Sequence, residues 1–171
     1  MAWGQTGLAS SSGWFSGVGA GFAPLHIEEI IADNELAAGA TTISPTFSLR
    51  TGWVVQEYAI YLMTEQNLYL DTAQNISTSG LTGLGVGFLV PGLNDWYLLA
   101  GAGLASKAII GADSFATGVG LNLGLGRPLS QNFTLEMNYS YLSLDSVVVP
   151  FVLGARETTT SLQFNLLYLL Y

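Results

Sequence analysis

Large apolar residues alternate with small or polar ones in eight successive segments of the chain. The clearest case is Gly118–Leu142. On one side of Arg127-Pro128, Val119, Leu121, Leu123 and Leu125 take every second position, and on the other Phe133, Leu135, Met137, Tyr139 and Tyr141 do so. Between them stand Gly118, Gly120, Asn122, Gly124 and Gly126, then Thr134, Glu136, Asn138 and Ser140. A period of two sends successive side chains to opposite faces of a strand. The same rhythm predicts strands over Trp14–Leu25, Thr41–Val54, Glu57–Leu70, Gly80–Val90, Trp96–Ile109, Ser114–Gly126, Phe133–Leu144 and Thr159–Tyr171. Most reach the roughly 9–11 residues that a tilted strand needs to cross a bilayer.

The connections are expected to alternate in length. Val55-Gln56, Pro91–Asp95 and Arg127–Asn132 are short, whereas His26–Ala40, Asp71–Ser79 and Asp145–Thr158 are longer, with Ile110–Asp113 a brief exception. Short turns at one end and longer loops at the other are the habit of outer-membrane barrels. The stretch Ile27–Leu36 also reads as a short amphipathic helix on the rim.

Composition narrows the choice. Of 171 residues, 50% are hydrophobic and only 9% charged, against about a quarter charged in ordinary soluble domains. No run approaches the ~18–20 apolar residues of a membrane-spanning helix. The absence of cysteine rules out disulfides and thiolate metal sites. A net charge of −8 with four Lys and Arg argues against a nucleic-acid partner. Met1-Ala2-Trp3 lacks the basic start and apolar core of a signal peptide, so the chain is expected to be a mature exported form with Met1 as an added initiator. A single domain over residues 1–171 follows from length, with 1–13 as a periplasmic segment.

The large apolar residues set the outward phase: Val18 and Phe22; Ile43, Phe47, Leu49 and Trp53; Tyr58, Ile60 and Leu62; Leu84, Val86 and Phe88; Trp96, Leu98 and Leu104; Val119, Leu121 and Leu123; Leu135, Met137 and Tyr139; Leu162, Phe164 and Leu166. The four charges that fall inside strands, away from their first residues, are Arg50, Glu65, Lys107 and Glu136, and all take the opposite phase. A soluble barrel would turn its apolar face inward and cover its outside with Gly, Ser, Ala and Thr, a poor surface for water. Inverting the barrel puts Leu, Val and Phe against lipid and small or polar residues in a narrow lumen. The fold expected is therefore all-β, an eight-stranded antiparallel up-and-down transmembrane β-barrel. Trp14, Trp53, Tyr58 and Trp96 would form an aromatic girdle at the turn end, with Tyr69 and Tyr141 near the other.

Two positive and two negative charges sharing a narrow lumen should pair, because an unpaired buried charge is costly. Counting from the strand ends suggests Arg50–Glu136 as a lower bridge and Glu65–Lys107 as an upper one, with Asn122, Asn138, Gln163 and Asn165 completing the network. Such a network packs the lumen as a polar plug, or serves as a gate for ions or small solutes if the charges re-pair. Eight of the twelve acids (Glu28, Glu29, Asp33, Glu35, Asp71, Asp113, Asp145 and Glu157) fall at the loop end, where only Arg156 opposes them. They form a solvated rim that an extracellular partner could meet.

Enzymatic readings have less support. His26, the single histidine, lies near Asp113-Ser114 and Asp145-Ser146 at the loop end, where an acyl-modifying enzyme of lipid A or phospholipid would need a base. On the seventh strand, however, Asn138 stands near Ser140 where such a base would be required. No cluster has metal-ligand spacing, and no cofactor is expected. Gly17–Gly21 and Gly83–Gly87 are alternating strand glycines with no helix after them, and so not phosphate loops.

The segment Gly120–Leu142, "GLNLGLGRPLSQNFTLEMNYSYL", resembles the sixth strand, turn and seventh strand of the small OmpA-like and OmpX-like outer-membrane barrels, and "GWFSGVGAGF" resembles their first strand. The resemblance implies a monomer embedded in bacterial outer-membrane lipid, with a lumenal network of the type seen in Arg50, Glu65, Lys107 and Glu136. The terminal pattern through Leu162, Phe164, Leu166, Tyr168 and Leu170 to Tyr171 is one residue out of step with that family's alternating C-terminal signal, and no peptidoglycan-binding domain is expected to act here.

Overall fold

The computed structural model describes residues 12–31, 35–70, 75–90, 96–111, 115–146 and 156–171. It contains β1 (Gly13–Ile31), β2 (Glu35–Val55), β3 (Tyr58–Leu70), β4 (Ile76–Leu89), β5 (Tyr97–Ile109), β6 (Phe115–Pro128), β7 (Phe133–Ser146) and β8 (Arg156–Leu170). Each strand pairs antiparallel with the next, and β8 returns to β1 to close the barrel. Closure leaves no free sheet edge around the barrel body, the condition for strands to cross lipid.

The register explains the tilt. Cross-strand partners lead from Gly17 through Arg50, Met63, Gly83, Gly103, Gly120, Leu142 and Thr159 back to β1 at Ile27, ten residues beyond the start (27 − 17). Residues paired across the ladder therefore climb steadily toward the loop end as the barrel is circled. This stagger decides which inward side chains lie level with one another.

The outward phase is as the alternation predicts. Of the residues named for it, all are exposed except Leu98, Leu162 and Phe164, which are half-buried on the same face, and Phe164 stacks on Phe22 at 5.4 Å. Ile43, Leu104 and Val119 are the most open, at 77%, 72% and 65%. A continuous belt of Leu, Ile, Val and Phe this large on the outside of a barrel is a lipid-facing surface. The chain is a transmembrane β-barrel. At the turn end Trp14, Trp53, Tyr58 and Trp96 face outward, with the Trp14 and Trp53 rings edge to face at 6.2 Å and the Arg127 guanidinium 5.9 Å from the Trp96 ring.

Three expectations are corrected. Tyr69 points into the lumen and is buried, so it takes no part in a girdle. Ile27–Leu36 forms no helix among its described residues: β1 runs on to Ile31 because it gains β8 as a second partner, from Ile27↔Thr159 to Ile30↔Arg156, and β2 begins at Glu35. Only residues 32–34 separate these two strands, and the sorting of connections by length is accordingly weaker than the alternation suggests. The lumen, finally, is not lined by small and polar residues alone. Phe15, Tyr61, Tyr97, Leu99, Leu167 and Leu169 fill it toward the turn end, and Leu25, Ile27, Leu81, Leu142 and Leu144 toward the loop end.

Candidate functional site: the lumenal charge cluster

Arg50 enters the lumen from β2 because it shares the inward phase with Ser48 and Gly52. Its Nη1 donates to Glu136 Oε1 on β7 at 2.6 Å, and its Nη2 to Glu65 Oε1 on β3 at 3.2 Å. The guanidinium lies 5.2 Å from the ring of Tyr61, one strand over. Stagger explains the long reach from β2 to β7: the ladder climbs between them, and the position level with Arg50 falls below its ladder partner Leu142, at Glu136. All three charged groups are nearly shut off from solvent, at 4% for Arg50, 1% for Glu65 and 2% for Glu136.

Each carboxylate has further donors. Tyr97 Oη donates to Glu136 Oε1 at 2.8 Å and Asn138 Nδ2 to its Oε2 at 3.2 Å. Asn122 Nδ2 donates to Glu65 Oε2 at 2.7 Å and also to Ser140 Oγ at 3.0 Å, and that hydroxyl donates to the same Oε2 at 3.3 Å. The arrangement is the charge-assisted, multiply donated kind that makes a buried carboxylate tolerable.

The upper bridge expected between Glu65 and Lys107 is not formed. Lys107 pairs instead with Glu157 on β8, where both groups lie close to the loop-end mouth. Heights counted along separate strands miss the stagger, which carries Lys107 well above Glu65 and level with Glu157. Gln163 and Asn165 also differ from expectation. Thr46 Oγ1 donates to Asn165 Oδ1, Asn165 Nδ2 to Gln163 Oε1 at 3.3 Å, and Gln163 Nε2 to Ser161 Oγ at 3.4 Å, a separate chain along β8 rather than further ligands of the carboxylates.

Tyr61, Tyr97 and Ser140 complete the cluster although charge counting passes over them. The signal for the tyrosines is an inward bulky residue whose cross-strand partner is glycine: Tyr61 pairs with Gly85 and Tyr97 with Gly126. A Cβ at Gly85 would come within 2.2 Å of the Tyr61 ring, and one at Gly126 within 2.1 Å of the Tyr97 ring. These two glycines clear the space in which the rings lie.

At the loop end His26 is exposed on the outer phase, where Nδ1 meets Thr41 Oγ1 at 3.0 Å and Nε2 meets Glu28 Oε1 at 3.1 Å. Asp145 faces Arg156 at 3.4 Å. Asp33, Asp71, Asp113, Ser114 and the side chains of Glu29, Glu35 and Ser146 lie outside the described residues, as does most of the expected 1–13 segment. Thus His26 is engaged by a threonine and a glutamate, and one of its two expected aspartates by an arginine.

No protein-family model matches the chain, and no curated protein matches it in sequence. Solved structures do match in shape. Neisserial surface protein A superposes with a TM-score of 0.59 at 12% identity, over 93% of this chain and 99% of that one. OprG of Pseudomonas aeruginosa gives 0.52 at 10% identity, over 95% and 98%. Ail, the attachment invasion locus protein of Yersinia pestis, gives 0.51 at 16%, over 90% and 98%. The fold is that of the small eight-stranded outer-membrane barrels. At these identities the likeness extends to architecture and strand number, and the lumenal cluster has to be read from its own geometry.

Proposed function

We propose that the protein is a closed, non-enzymatic barrel of the bacterial outer membrane, with its short turns and both termini in the periplasm. It acts as a monomer whose body adds to envelope integrity and whose acidic loop end meets the surroundings or an extracellular partner. The observation that carries this reading is the lumen: a hydrogen-bonded cluster of Arg50, Glu65 and Glu136, each under 5% exposed, lies between apolar side chains on both sides. A continuous file of water would need that cluster and its apolar flanks to part. Outer-membrane lipid is the partner implied by the outward belt.

Conductance of the refolded protein in planar bilayers tests the reading. The wild-type barrel is expected to be silent, and Arg50→Ala to leak as the side chain that spans the lumen between Glu65 and Glu136 is removed. Discrete steps from the wild type would show that the cluster opens, and would promote the channel reading over the plug.

A further inference from the structure

The lumenal cluster does not balance. Had Lys107 reached Glu65, two cations would have met two carboxylates; with Lys107 engaged by Glu157 at the mouth, Arg50 alone faces Glu65 and Glu136. Among the described residues, the charged or titratable side chains that face Glu65 are Tyr61 and Tyr69 from its own strand, Arg50 from β2, Tyr97 and Lys107 from β5, Glu136 from β7 and Glu157 from β8; β1, β4 and β6 contribute none. One negative charge is left over in a buried, low-dielectric space, where the hydrogen bonds from Arg50, Asn122 and Ser140 offset only part of its desolvation cost.

Asn122 carries a further mark. Its buried amide oxygen has no donor, while its amide nitrogen donates to Glu65. Unpartnered donors stand in the same lumen, Arg50 Nε and the Tyr61 hydroxyl among them.

We propose that the sealed lumen binds one proton, held by Glu65 as a neutral carboxylic acid at neutral pH; this rests on the plug reading. Glu136 takes the shorter guanidinium bond, 2.6 Å against 3.2 Å, and the Tyr97 hydroxyl at 2.8 Å, which leaves Glu65 the carboxyl less closely held by Arg50. Glu65 has acceptors at hand. Ser140 Oγ lies 3.3 Å from its Oε2, and turning the Asn122 amide over brings its orphaned Oδ1 to the position now 2.7 Å away. Which way an asparagine amide faces is set by the surrounding network, and a proton on Glu65 favours the turned form. Folding then takes up a proton that the unfolded chain lacks at neutral pH, so stability falls as pH rises from the ordinary glutamate range, about 4.3, up to the pH at which the folded group releases its proton.

Infrared spectra of the protein folded in lipid vesicles in heavy water provide the test. The carbonyl stretch of a protonated carboxylic acid is expected at neutral pH. It should vanish in Glu65→Gln, with the urea midpoint kept or raised, because glutamine reproduces the neutral acid. Glu136→Gln should also abolish the band, since Glu65 then balances Arg50, but should lower the midpoint. Arg50→Met should roughly double the band by leaving two acids without a cation. A folded wild type with no such band overturns the proposal, and a midpoint that rises with sodium or potassium at constant ionic strength would assign the missing charge to a small cation instead. A midpoint that falls as far in Glu65→Gln as in Glu136→Gln overturns the choice of Glu65. Conductance separates the two readings: a leaking wild type that keeps the band refutes the plug alone, and a silent one without the band refutes the proton alone.

Discussion

Removing Glu136 leaves Arg50 with only its longer bond to Glu65 and strips Tyr97 of its acceptor. Breaking a buried pair costs about 3–5 kcal/mol when the other charge stays behind unsatisfied, and less here because Glu65 remains to balance Arg50. Glu136→Ala is therefore expected to lose about 1–3 kcal/mol, the cost of the hydrogen bonds it forfeits, in urea-driven unfolding in bilayers. Lys107→Ala should cost less, since Glu157, 12% exposed near the mouth, is closer to water than Glu136 at 2%. Equal losses would place Lys107 in the buried cluster after all. Glycine enters the same account. Gly126→Val drives a side chain into the Tyr97 ring and is expected to cost about 1–3 kcal/mol as overpacking. Combining it with Tyr97→Ala should restore most of the clash term while keeping the loss of the hydrogen bond, a coupling that a double-mutant cycle reads directly.

At the level of the strand, alternation divides every segment into a lipid phase and a lumen phase, and the two should respond oppositely to charge. Leu123, 61% exposed on β6, lies well inside the apolar belt. Leu123→Arg is expected to destabilise the barrel by about 2–4 kcal/mol in a bilayer, the cost of an arginine near the midplane. A soluble barrel carrying this residue on its water face would show no loss in the same unfolding measurement. The extension of β1 carries a second prediction. Residues 27–30 pair with β2 on one side and β8 on the other. Their amides should exchange about as slowly as those at the centre of β1, whereas a rim helix would exchange within the fast class. Hydrogen exchange followed residue by residue decides between them.

Across the whole molecule, the register fixes height. A closed sheet that returns ten residues further along β1 brings β2 and β7 level at Arg50 and Glu136, and places Lys107 beside Glu157. It also stacks the lumen into layers, with the polar cluster between apolar groups. The stability of such an interior should depend little on ionic strength, because salt screens exposed charges and barely reaches a cluster this deeply buried. Raising salt from low to physiological levels is expected to leave the unfolding midpoint of the wild type nearly unchanged. A strong salt dependence would indicate a wet, accessible lumen and favour conduction.

Much of this was legible in the chain itself. Period-two alternation with few charges determined the strands, the all-β class and the direction each face takes, because a lipid-facing barrel must display its apolar phase and hide its polar one. Arg50, Glu65 and Glu136 were marked as lumenal by phase alone, and the inward Tyr61 and Tyr97 could have been found from the glycines opposite them. Pairing could not. Whether Glu65 meets Arg50 or Lys107 depends on stagger, a property of closure that no single strand carries, and the length of β1 depends on β8, whose partnership appears only when the ends of the sheet meet. The faces are a local consequence of side-chain period; the neighbours within the lumen are decided by the shear of the closed barrel.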